Sequence, residues 1–134
     1  MAKTKPALHE FDPVIYPFKL WVAFTDDIEP ITSHFKRLPE DTWLDSVEWD
    51  NRGAITISSV YRAKSGDIGV LIIFSKAHGM AASTIAHESS HAADFFWYQM
   101  GEERTNGEAN AYLVGWIAGC CEEVRKFKRK KKKK

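Results

Sequence analysis

Residues 68–91, IGVLIIFSKAHGMAASTIAHESSH, decide how this chain folds. The run IGVLIIFS at 68–75 is an almost continuous apolar run, which predicts a well-buried strand. His78-Gly79 breaks the pattern. Ala82 or Ser83 then opens a helix that runs to about Met100, with Gly101 as its stop. His87-Glu88-Ser89-Ser90-His91 lies on that helix and fits the pattern H-E-x-x-H. Helical residues four apart stack on one face with Cβ atoms about 5–6 Å apart, so the two imidazoles can converge on one ion. Glu88 is turned off that axis but flanks the same surface, as suits a general base acting on a water held there.

Working outward, AITISSVYR at 54–62 and the turn Lys64-Ser65-Gly66-Asp67 make the apolar run the second strand of a hairpin. FKLWVAFT at 18–25 alternates as a strand, with Phe18, Leu20, Val22 and Phe24 on one face. Residues 26–38 carry early acids, Pro30 in the first turn and apolar Ile28, Ile31, Phe35 and Leu38 at helical spacing, which predicts a helix of about three turns ended by Pro39. The first dozen residues, broken by Pro6 and Pro13, read as an arm or loop. Residues 39–53 read as a connection anchored by Trp43 and Trp49. A last helix is expected from about Asn106 to Lys126, and the aromatic run 95–98 on the preceding helix reads as core. The order β-α-β-β-α-α is of the α+β class: a small, mostly antiparallel sheet packed against the HExxH helix and a C-terminal helix.

With 134 residues, 44% hydrophobic and 28% charged, the chain suits one domain over residues 1–125. The net charge of +1 hides an asymmetry. KFKRKKKKK at 126–134 holds eight Lys or Arg and no acid. Without it, 11 basic residues face 18 acidic ones, a balance of −7. Such a body is a poor nucleic-acid surface, so nucleic acid is expected to bind weakly at most, through the tail, which reads as a disordered polybasic segment. Cys120 and Cys121 are adjacent and badly placed for a mutual disulfide, so reduced thiols are expected. The N-terminal stretch has no apolar signal region, and no stretch approaches the roughly 18 apolar residues of a membrane span. The expected compartment is the cytoplasm.

A catalytic zinc site keeps three protein ligands and one open position. Asp94, Glu102, Glu103 and Glu108 are the acids available downstream. Asp94, i+3 from His91, suits orienting an imidazole better than binding metal. A helix ending at Met100 reaches about 14 Å past His91, so a third ligand must come from chain that turns back. Glu108 has the reach and opens the next helix. Thr105-Asn106-Gly107-Glu108 also matches a capping box. Ala109, Tyr112 and Gly115 recur at helical spacing after Glu108 and would let that helix approach the metal helix closely, which favours ligation by Glu108.

His-Glu-x-x-His followed by a Glu that opens a helix resembles the gluzincin branch of the zincin metallopeptidases. Glu108-Ala109-Asn110-Ala111-Tyr112 looks like the E-A-N-x-[FY] segment of ImmA/IrrE-like metallopeptidases, and residues 85–123 look like small metallopeptidase-like proteins of bacteriophages and mobile elements. The resemblance spans residues 54–124. It implies a minimal zincin-like fold, Zn²⁺ held by His87, His91 and Glu108, Glu88 as general base and peptide-bond hydrolysis in a protein or peptide substrate. It also implies a second electrophile for the oxyanion, for which Tyr112 is best placed, with Tyr98 and His78 as alternatives. The hairpin strand beside the metal helix would pair with extended substrate. Two departures stand out: the spacing from His91 to Glu108 is short for gluzincins, and there is no room for the helix-turn-helix module of some ImmA/IrrE-like proteins. The alternative is a catalytically silent protein that keeps the fold as a binding or structural accessory.

Overall fold

The computed structural model describes residues 7–44, 53–76, 79–102 and 107–132. Trp49, His78, Glu103 and the first two residues of the expected capping box, Thr105 and Asn106, lie outside them. The elements in chain order are β1 Leu8–Phe11, β2 Lys19–Phe24, α1 Glu29–Thr32, β3 Phe35–Arg37, β4 Thr42–Trp43, β5 Ala54–Arg62, β6 Ile68–Phe74, α2 Ala82–Gln99 and α3 Glu108–Lys132. The strands form one sheet in the order β1-β2-β6-β5-β3-β4. Every pairing is antiparallel except β2 with β6. The molecule is thus a mixed helix-and-sheet structure with a mostly antiparallel six-stranded sheet.

The hairpin β5–β6 and the helix α2 form where the sequence places them. β6 is central, between β2 and β5, and is buried on both faces, which is why its run is apolar without alternation. Leu20, Val22, Val70, Ile72 and Phe74 point to one face, where they meet Ala92, Ala93 and Phe96 of α2 and Leu113 and Ile117 of α3. Trp21, Ala23, Leu71 and Ile73 point to the other face and pack with Ile31, Phe35 and Leu44. The period of two in β2 and β6 therefore divides a single sheet between two cores.

Four expectations about the elements need correction, the first being the connection over residues 39–53, in which Thr42–Trp43 is the strand β4 and Trp43 is exposed rather than a packing anchor. The three-turn helix over residues 26–38 is a single turn, α1, followed by the strand β3. Thr32, Ser33, His34 and Phe35 are weak helix formers, and Phe35–Arg37 pairs with Val60–Arg62 instead of continuing the helix. Within the N-terminal arm, Leu8–Phe11 is an edge strand on β2. Its stabilisation comes from main-chain pairing, which leaves little periodic trace in so short a segment. The last helix, expected to end near Lys126, continues to Lys132. Lys and Arg are good helix formers, and cations suit the negative end of the helix dipole.

α2 ends as expected: Gly101 has φ +74°, its N–H donates to Tyr98, and the Glu102 N–H donates to Trp97. These two bonds are a Schellman motif, which turns the chain toward α3.

Candidate functional site

His87, Glu88 and His91 lie in a cleft of about 660 Å³ between α2 and β5. Gly53, Ala54, Ile55 and Thr56 form its strand wall, and Ser83, Thr84 and Phe95 of α2 complete the lining. Rotation along the helix sorts the three motif residues. Ile85, Ala92 and Phe96 anchor α2 on the sheet at helical spacing. Glu88 shares that buried stripe, at 7% exposure, whereas His87 and His91 are turned into the open cleft.

The two imidazoles converge. Their Nε2 atoms are 3.1 Å apart, with ring planes at 78°. Two nitrogens at about 2.0–2.1 Å from one tetrahedral ion sit about 3.3 Å apart, so this spacing fits two ligands of a zinc ion. Glu88 Oε2 lies 3.8 Å from His87 Nε2. The other carboxylate oxygen, Oε1, accepts a 2.7 Å hydrogen bond from the Thr56 hydroxyl. The carboxylate therefore has one oxygen held by the sheet and one beside the His87 imidazole.

Beside this cleft, β5 has one edge that no other described strand occupies. It pairs with β6 along its length, but with β3 only over Val60–Arg62. A bulge between Ile57 and Val60 separates the two halves, with Ser59 at φ +54° and its N–H held by Gln99 Oε1 at 2.8 Å. The Ser75 N–H donates to the Gly53 carbonyl. In an antiparallel ladder, residues 53, 55 and 57 then bond toward β6, while the main-chain groups of Ala54 and Thr56 point the other way. Among the described residues, no strand pairs with that edge.

The structure does not bring Glu108 or Tyr112 to the paired histidines. Glu108 is exposed at the start of α3. α3 packs antiparallel on α2: Trp97 Nε1 donates to Asn110 at 2.9 Å, and Ser89 lies against the Cys121 thiol. Ser89 is two residues from each histidine. At about 100° per residue, it is turned about 160° from both. The helix that faces Ser89 is thus on the far side of α2 from the imidazoles. Among the described residues, no three His, Cys, Asp or Glu side chains converge as a metal site. Among the described residues, the donor set fits two protein ligands and a neighbouring carboxylate, without a third ligand.

The small-residue face also differs from expectation. α3 packs through Asn110, Leu113, Ile117, Cys120, Cys121 and Val124, whereas Ala109, Tyr112 and Gly115 are exposed. Tyr112 borders a separate groove of about 270 Å³ with Pro13, Ile15, Tyr16, Leu113 and Trp116. Tyr98 is 75% exposed at the far end of α2, and Asp94 is half-buried. Of the aromatic run, Phe96 and Trp97 are core.

Thr56 is the site residue that sequence reasoning missed. Its one signal is a polar residue on the α2-facing side of β5, opposite in phase to Ile55 and Ile57. Compared with known proteins, the chain matches no family model, no curated protein and no solved structure.

Proposed function

We propose that this chain is a zinc-dependent hydrolase of the zincin kind, acting on peptide bonds in a protein or peptide. The observation that carries this reading is the convergence of the His87 and His91 Nε2 atoms at 3.1 Å in the cleft where Glu88 is held. His87 and His91 would hold the metal. When bound, zinc supplies Lewis acidity and brings the pKa of a water down to about 7. Glu88 takes a proton from the attacking water at Oε2, the oxygen that Thr56 leaves free, and returns it to the departing amine nitrogen. Its carboxylate is then regenerated. Ala54 and Thr56 offer outward main-chain donors and acceptors to an extended peptide, which adds to β5 as a strand. The compartment in this reading is the cytoplasm; the free, buried Cys120 and Cys121 suit a reducing environment. Neither Glu108 nor Tyr112 enters the mechanism, because neither reaches the cleft.

The test is metal analysis with peptide cleavage for wild type and Glu88→Gln. The expected result is zinc in both proteins, and turnover in Glu88→Gln reduced by about 10²–10⁴-fold. The lack of a third ligand among the described residues favours a second reading, a silent zincin-like binding protein. A wild type that holds zinc but cleaves nothing in a broad peptide pool selects that second reading.

A further inference from the structure

Thr56 belongs to two parts of the cleft at once. Its hydroxyl donates to Glu88 Oε1 at 2.7 Å and lies 3.5 Å from the Glu88 carbonyl oxygen. Its own N–H and C=O point away from β6, by the register that the Ser75–Gly53 bond sets, to an edge that no strand pairs with among the described residues. One residue thus touches both the base and the edge along which a peptide would lie.

We propose that Thr56 is a positioning residue: its hydroxyl holds the Glu88 carboxylate in the orientation used for proton transfer, and peptide pairing along β5 steadies that hold. The role rests on the peptidase reading given above. A free glutamate samples several rotamers, and only some direct an oxygen toward the imidazoles. The Thr56 bond occupies Oε1 and leaves Oε2 beside His87. A hydrogen bond to a charged acceptor biases such an equilibrium by about tenfold or more. A peptide strand bonded to the Thr56 main chain restricts the motion of the residue that carries the hydroxyl. Substrate docking and base alignment are thereby coupled through one side chain.

The test uses the full chain, with Thr56→Val (the same shape without the hydroxyl) and Thr56→Ser, each made in wild-type and Glu88→Ala backgrounds. The first readout is urea unfolding of the zinc-free protein, which needs no activity. Thr56→Val is expected to raise the unfolding constant about tenfold in the wild-type background and less than about threefold beside Glu88→Ala. The second readout is cleavage by the zinc-loaded protein of the best substrate from a quenched-fluorescence peptide pool. Thr56→Val is expected to lower kcat about tenfold with KM within about twofold, and Thr56→Ser to restore most of the loss. An active wild type in which the two positions act additively on unfolding, or in which serine rescues nothing, overturns the positioning role alone. A zinc-loaded wild type that cleaves no peptide overturns the peptidase reading, and the positioning role falls with it.

Discussion

His87, Glu88, Ser89 and His91 show how a rotation of about 100° per residue assigns chemistry along one helix. The imidazoles face the cleft, Glu88 faces Thr56 on the sheet, and Ser89 faces α3. Behind Ser89, the Cys121 thiol is fully buried, and burial, with smaller contributions from neighbouring Cys120 and Glu88, pushes its pKa up from 9.0 to about 12. The folded chain therefore keeps this proton while the unfolded chain loses it as pH rises past about 9. In that window the unfolded state binds fewer protons, so stability falls with rising pH up to about 12. Urea midpoints at pH 8 and pH 10.5 are expected to drop less in Cys121→Ala than in wild type. A native Cys121 that reacts readily with a thiol reagent at pH 8 would contradict the burial on which this rests.

The strand elements are held in register by a backbone contact as much as by side chains. Gly69 pairs with Lys19 across the one parallel junction of the sheet. A Cβ at position 69 would overlap the Lys19 carbonyl oxygen, a backbone atom that cannot move without shifting β2. Gly69→Ala is expected to destabilise the fold by about 3 kcal/mol, seen as a lower urea midpoint; an unchanged midpoint would mean that β2 and β6 are not so closely paired. The bulge in β5 is the second device of this kind. It lets Ile57 and Val60 share a core despite their odd spacing, and it separates the half of β5 that pairs with β3 from the half that borders the cleft.

On the scale of the molecule, α2 and α3 cover one face of the sheet, and the site opens on the side of α2 away from α3. Zinc that binds the folded chain and not the unfolded one stabilises it by about 2.7 kcal/mol at a free concentration 100 times Kd. Wild type is expected to gain roughly 10 °C in Tm under that condition, reversed by a chelator. Glu108→Ala is expected to keep this gain and His91→Ala to lose it. Loss of the gain in Glu108→Ala would show that α3 reaches the metal after all. The β5–β6 hairpin, the helix α2, its stop at Gly101 and the shared face of His87 and His91 could be read directly from the chain. Each depends on spacings of a few residues, where periodicity and turn chemistry act locally. Only the tertiary structure decided that residues 35–37 pair as a strand, that β2 runs parallel to β6, that α3 turns Tyr112 and Gly115 outward and that Thr56 holds Glu88 from 32 residues away. Those outcomes depend on sheet register and on the rotation of one helix against another, both set by the combined burial of two cores rather than by any short stretch of sequence.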